Sequence, residues 1–226
     1  MMIFITGDTH CPIDIRKLNT SNFKEQQSLT KNDFLIITGD CGIVWDNSSE
    51  EKYWQNWLNA KNFTTLFVDG NHENFDLLNS YTVSEWNGGK VHFIKNSVIH
   101  LMRGQVYTIN DKKFFVMGGA ESIDKILRKE GKSWWKEELP SEEEYEEALN
   151  NLDKHNWTVD YVITHTSAPD AASKIAKYDT NNKLNSFFRM IEKYLNYKHW
   201  YFGHFHVDIK IDDKHTALYN KIIRIM

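Results

Sequence analysis

Ile3-Phe4-Ile5-Thr6-Gly7-Asp8-Thr9-His10 decides the reading of this chain, because a short β-branched and aromatic run ends there in glycine and then in polar residues. The same arrangement recurs four times. Phe34-Leu35-Ile36-Ile37 leads into Gly39-Asp40, Leu66-Phe67-Val68 into Gly70-Asn71-His72-Glu73, Tyr161-Val162-Ile163 into Thr164-His165, and Trp200-Tyr201-Phe202 into Gly203-His204-Phe205-His206. Short apolar runs bounded by glycine or polar residues read as buried strands. In open α/β sheets ligands bind outside the carboxyl ends of the strands, so five such ends can bring Asp, His and Asn to one place. That combination reads as a metal site.

Asp8, His10, Asp40, Asn71, His165, His204 and His206 supply seven donors, and Asp40 can fill an eighth position by bridging. One ion needs fewer. The set suits two divalent ions about 3.5–4 Å apart, as in other two-metal hydrolytic centres. Two such ions against two carboxylates leave a net positive site, which attracts an anion such as a phosphoryl group. Imidazole and oxygen donors without thiolate suit Mn, Fe, Zn, Ni or Co, with Mn the expected ion, and argue against Cu(I) or an iron–sulfur cluster. Taken singly, each residue has a plainer role: Asp8 or Asp40 as a helix cap, Asn71 in a left-handed turn, His10 or His72 on a surface loop. Yet five of the ten histidines fall within the pattern, each where a strand ends. His92, His100, His155, His199 and His215 are assigned surface or strand positions.

In order, the five motifs resemble the calcineurin-like metallophosphoesterase superfamily, whose pattern is D-x-H, G-D, G-N-H-E/D, an isolated H and G-H-x-H. The resemblance runs from Asp8 to His206, nearly the whole chain. It implies that Asp8, His10, Asp40 and His206 hold one ion and Asp40, Asn71, His165 and His204 the other. It leaves His72 as a general acid or charge stabiliser at the leaving oxygen. The implied reaction is in-line attack of a metal-bound hydroxide on a phosphomonoester or small phosphodiester, such as a nucleotide. Asp46 or Glu73 is considered as the group orienting His72. Against the phosphoprotein phosphatase branch the chain departs at Cys11, where that branch has glycine, and at Cys41-Gly42-Ile43-Val44-Trp45-Asp46, where it has Asp-Arg-Gly. The branch's phosphate-clamping arginine is missing, which speaks against protein-phosphatase activity. The rival from another class is a catalytically inactive scaffold or protein-interaction module with the same fold.

The whole chain of 226 residues, 41% hydrophobic and 14% aromatic, is read as one domain with enough apolar material for a sizeable core. Trp54, Trp57 and Leu58 mark a helix near 50–61; Ser141 with Glu144 marks a capped helix burying Tyr145, Ala148, Leu149 and Leu152; Leu184, Phe187, Phe188, Ile191 and Leu195 mark another. Val91-His92-Phe93-Ile94, residues 105–109 and Phe114-Phe115-Val116-Met117 predict a second, more antiparallel sheet, and further strands are expected at 207–211 and 221–225. The expected fold is a four-layer α/β/β/α sandwich with two central mixed sheets flanked by helices, as the resemblance also implies.

Residues 119–140 stand apart as a candidate cap insert, similar to one in bacterial and phage-encoded members of the superfamily. Lys125 and Arg128 there offer charge for a second phosphate, and Trp134 and Trp135 offer faces for a base. The alternative is that the tryptophans anchor a long loop. A net charge of −4 without a basic cluster argues against extended nucleic-acid binding. The two cysteines, Cys11 and Cys41, make no disulfide framework and read as small side chains in tight loops ahead of any redox role. With no signal-peptide pattern and no apolar run near eighteen residues, a soluble, cytoplasmic protein acting on a small phosphorylated substrate is expected.

Overall fold

Strands buried on both faces must pack against something on each side, and here the alternation of side chains divides the layers. In the computed structural model, which describes residues 1–176 and 182–226, Ile3 and Ile5 point to one core while Phe4 points to another. The described strands are β1 (Ile3–Thr6), β2 (Phe34–Ile37), β3 (Thr64–Phe67), β4 (Val83–Trp86), β5 (Gly89–Lys95), β6 (Val98–Leu101), β7 (Gln105–Ile109), β8 (Lys112–Met117), β9 (Tyr161–Thr164), β10 (His199–Phe202), β11 (Ile209–Lys210), β12 (His215–Ala217) and β13 (Ile223–Arg224). The helices are α1 (Ser49–Asn59), α2 (Phe75–Leu78), α3 (Glu142–Lys154), α4 (Pro169–Ala172) and α5 (Lys183–Tyr194).

One sheet has the order β13-β1-β2-β3-β6-β5-β4 and the other β11-β12-β10-β9-β8-β7. Both are mixed. β1, β2, β3 and β6 are parallel neighbours in the first, and β8, β9, β10 and β12 in the second, with antiparallel strands at the edges. Ile3, Ile5, Ile36 and Leu66 meet Phe114, Val116, Ile163 and Tyr201 between the sheets. On the outer faces, Phe4, Leu35 and Phe67 pack with Trp54 and Leu58 of α1, and Phe115, Val162 and Trp200 pack with Leu152 of α3 and Phe188 of α5. The result is the expected four layers.

Local chemistry explains the helix starts. Ser48 accepts from the Glu51 amide ahead of α1, and Ser141 and Glu144 form the expected capping box of α3, which together satisfy backbone donors that no earlier turn can reach. No helix among the described residues is long and apolar enough to cross a membrane.

The strand expectations need correcting. The run at 91–94 belongs to β5 of the first sheet, between β4 and β6, whereas β7 and β8 form the antiparallel edge of the second. Apolar alternation identifies a strand but not its partner. The expected strand at 207–211 shortens to β11, exposed along its two residues, and that at 221–225 shortens to β13, which returns to the first sheet beside β1. Three short strands, β4, β6 and β12, escaped notice: Val83-Ser84-Glu85-Trp86 and His215-Thr216-Ala217 carry too little apolar pattern, and Val98-Ile99-His100-Leu101 follows close behind β5.

Candidate metal centre

Parallel register brings the loops after β1, β2 and β3 out side by side, since Thr6 pairs with Ile37 and Ile37 with Phe67. The loops after β9 and β10 arrive from the second sheet. Asp8 oxygens accept from the His204 amide at 3.0 and 3.2 Å, and His165 stands 3.3 Å from Asp40, so the two sheets close over one polar cluster. Glycine permits that closeness. A Cβ on Gly70 would lie 2.0 Å from Asp40 Oδ1, and one on Gly203 would lie 2.1 Å from Asp8 Oδ1. His10, Asp40, His204 and His206 all hold positive φ (29°, 45°, 68° and 51°), a conformation that costs energy in residues other than glycine and gathers at functional sites.

The structure brings all seven sequence-predicted donors together. Asp8, His10 and His206 can present ligand atoms within 4.8 Å of one another, as can Asp8, Asp40 and His165, and a further group joins His10, Asp40 and His72. His204 packs its ring against His165 at 5.0 Å between centroids. Asn71 directs Oδ1 to His165 Nε2 at 3.2 Å. His165 Nδ1 faces the Thr38 carbonyl at 2.9 Å, so that nitrogen is the donor and Nε2 carries the lone pair when the ring is neutral. Three acceptors, Asp40 Oδ2, Asn71 Oδ1 and His165 Nε2, therefore converge on buried space. Acceptors face one another in that way around a cation, so this donor set fits a metal ion.

The protonation of the cluster carries the same message. Burial opposes charge on Asp40 and Asp8, yet neighbouring histidines outweigh it and hold Asp40 well below, and Asp8 below, the usual carboxylate range. Burial likewise opposes a charged His165, but Asp40 and Asp8 push it up to about 9. Burial and His165 together push His204 down to about 4. One proton thus sits where the carboxylates demand positive charge.

A family model described as calcineurin-like phosphoesterase matches residues 1–208. The chain belongs to that family. Among solved structures, this chain is similar to a Staphylococcus aureus protein described as a putative 5'-nucleotidase and solved with α-ketoglutarate, at 16% identity and a TM-score of 0.50. The match covers 96% of this chain and 48% of the other, so the chain spans about half that protein's length, and the likeness is one of fold. A comparison with curated proteins gives no match.

Several partners of the candidate metal-site residues were missed from the sequence. Asp14 Oδ2 lies 3.0 Å from His10 Nδ1, which turns His10 Nε2 toward Asp40 at 3.3 Å. This is the carboxylate–histidine arrangement that fixes the tautomer of a metal-binding imidazole. Lys17 Nζ donates to the carbonyls of Gly7, Asp8 and Tyr219, holding the first loop, while the Tyr219 ring stacks on His206 at 4.7 Å. Spacing of four from His10 to Asp14 was the one available signal.

His72 is placed by its backbone and by the insert. Its amide donates to Asp40 Oδ1 at 2.8 Å, and Arg128 Nη1 donates to its Nδ1 at 3.3 Å. Arginine has no acceptor, so Nδ1 accepts and the neutral ring carries its proton on Nε2. Neither residue considered for orienting it does so. Glu73 is buried and accepts from the Cys41 and Gly42 amides at 2.8 and 3.4 Å, and Asp46 accepts from the Ser48 amide at 2.9 Å. Cys41 is buried and Cys11 half-buried; burial raises both thiols, Cys11 to about 12, which removes the thiolate that redox exchange needs.

Of the four insert residues proposed to touch substrate, Arg128 alone contacts His72. Lys125 pairs with Glu121 at 3.2 Å and lies over the half-buried Trp134 ring at 5.1 Å. Trp135 is a correction: only 3% exposed, it packs edge-on to Trp45 and donates its indole N–H to Asp76 at 2.8 Å. It anchors the loop and has no face for a base. Also corrected is the surface option for His92 and His100, which are buried strand residues 3.2 Å apart; His100 continues to Asp69, itself clamped by Arg103 at 2.6 and 2.8 Å. These bonds fasten the stem of the Gly70-Asn71-His72 loop to β6.

Proposed function

We propose that this chain hydrolyses phosphoesters at a centre of two divalent ions, Mn²⁺ foremost, taking a small phosphomonoester or phosphodiester such as a nucleotide. The convergence of Asp40 Oδ2, Asn71 Oδ1 and His165 Nε2 carries the reading, because three buried acceptors with one shared proton are arranged for a cation. Asp8, His10, Asp40 and His206 are the residues for one ion, and Asp40, Asn71, His165 and His204 for the other. Bound there, such ions lower the pKa of water and offset the charge that builds on a phosphoryl group. Asp14 holds the His10 tautomer, and His72 presents Nε2–H to the leaving oxygen while Arg128 occupies its Nδ1.

Substrate choice belongs to the rim. Arg128, with its guanidinium beside His72, serves a substrate phosphate, and the partly exposed Trp134 is the remaining aromatic face for a base. Arg128→Ala is expected to raise KM for a nucleoside monophosphate about 10-fold or more, the range for a charge-assisted hydrogen bond, with kcat on p-nitrophenyl phosphate changed little. Lys125→Ala should shift the same KM by less, because the Lys125 ammonium lies between Glu121 and Glu138, whereas the Arg128 guanidinium, though paired with Asp124 at 2.7 Å, also reaches the His72 ring. Steady-state kinetics on both esters measures this; equal loss of kcat on both for Arg128→Ala would move it from substrate binding to the reacting centre.

The reading is tested by turnover of p-nitrophenyl phosphate and bis-p-nitrophenyl phosphate with added Mn²⁺ and after chelation. Chelator-sensitive hydrolysis of either ester supports it. Failure to turn over either, with ions bound, would favour the inactive scaffold.

A further inference from the structure

Asn71 is the only amide in the donor set, and a half-turn of an amide replaces a ligating oxygen by an NH₂. Its oxygen is attractive to a cation and its NH₂ is not, yet the two ends have nearly the same shape. Which end faces the centre is decided by what holds the other end. In this structure Asn71 Nδ2 donates to Ser122 Oγ at 3.1 Å, and Ser122 belongs to the insert rather than to any metal-site loop.

Ser122 has no freedom in how it answers. Its backbone N–H donates to Glu138 Oε2 at 3.0 Å and its hydroxyl donates to Glu138 Oε1 at 3.0 Å. Burial raises the Glu138 carboxyl above its usual range, while the two Ser122 hydrogen bonds and Lys125 Nζ, 3.9 Å from Oε2, oppose that shift. The hydroxyl's one proton is therefore committed to Glu138, and only its lone pairs face Asn71. A reversed amide would set Oδ1 against those lone pairs in buried surroundings, where an unsatisfied polar group costs about 1–3 kcal/mol, and would turn toward the proposed ion an NH₂ that cannot bind it. Asn71, Ser122 and Glu138 are 4%, 5% and 0% exposed, so bulk water does not relieve the mismatch.

Glu138 is itself fixed from elsewhere. Arg103 Nη2 donates to the Glu137 carbonyl at 2.7 Å, Trp135 is tied to Asp76 at 2.8 Å, and the Gly119 amide donates to the Asp69 carbonyl at 3.0 Å. Both ends of the insert are thereby bound to the body through contacts that do not involve Ser122.

We propose that Ser122 and Glu138 are positioning residues that set the amide orientation of Asn71, so that the insert helps retain one of the two ions. This rests on the two-ion reading above. Outer-shell partners of metal ligands typically change affinity 10–100-fold when removed. Ser122→Ala should accordingly weaken one ion about 10–100-fold and leave the other within about threefold. The decisive comparison is the same change in an Asn71→Asp chain. A carboxylate has an oxygen at either end and no wrong orientation, so Ser122→Ala there should cost less than about threefold.

Calorimetric Mn²⁺ titration of the four proteins, with melting curves of the chelated forms, reads these effects directly. Selective loss of one ion in the Asn71 background alone, at unchanged melting temperature, is the expected result. Wild-type affinities in Ser122→Ala, equal weakening of both ions, or the same penalty in both backgrounds would overturn the proposal while leaving the two-ion reading intact. A wild-type protein that binds no Mn²⁺ would overturn both.

Discussion

Asp40→Asn is expected to lower phosphoester turnover by roughly 10³-fold or more and to leave fewer than two ions per chain, because in the proposed centre one residue serves both ions and supplies half the carboxylate charge. Geometry makes Asp40 the hub. Its Oδ2 stands 3.3 Å from both His10 and His165, and its Oδ1 accepts the His72 amide at 2.8 Å. Asparagine keeps the shape and one oxygen, so the loop should survive while its NH₂ meets imidazoles from both proposed ligand sets. Elemental analysis of the variant, beside its kinetics, separates the cases. Two tightly held ions with the rate lost would contradict the bridging role.

His72→Asn should produce a different signature. General acid–base catalysis contributes roughly 10²–10⁴-fold, and its share depends on how badly the leaving oxygen needs a proton. An alkoxide needs one, whereas p-nitrophenolate hardly does. The variant is therefore expected to slow an alkyl phosphate or nucleotide ester by about 10²–10⁴-fold, to slow the p-nitrophenyl ester far less, and to keep both ions. His72 can reach the same point as His10 and Asp40, so ion content has to be measured alongside the rate. Loss of an ion, or an equal slowing of both esters, would make His72 a ligand or a structural residue.

How much of this was legible in the sequence follows from the range of each signal. A buried strand that ends in glycine and a polar motif announces itself within about eight residues, and five such endings identified the strands β1, β2, β3, β9 and β10 and the residues that meet at Asp8 and Asp40, but not that β9 and β10 belong to the second sheet. Capping is equally local, which is why Ser141 and Glu144 could be read directly. Sheet membership is not local. Nothing in Val91-His92-Phe93-Ile94 says that it pairs with β4 and β6, and nothing in Ile223-Arg224 says that it crosses back to β1.

The same limit hid the residues that steady the site. Ser122 meets Asn71 across 51 positions, Arg103 meets Asp69 across 34, and Lys17 meets Tyr219 across 202, and none of these pairs leaves a periodic trace. The two tryptophans of the insert illustrate the point most sharply. Adjacent and alike in sequence, they separate in space, with Trp135 in the core beside Trp45 and Trp134 under Lys125 near the rim.

The most direct test of the central claim is the ion count of the wild-type protein, measured by elemental analysis after Mn²⁺ loading and exhaustive dialysis, with phosphoester turnover followed on the same samples. The account predicts two ions per chain and a rate that disappears on chelation and returns with Mn²⁺. Full turnover by protein verified to be metal-free, or a chain that holds no ion under these conditions, would contradict it.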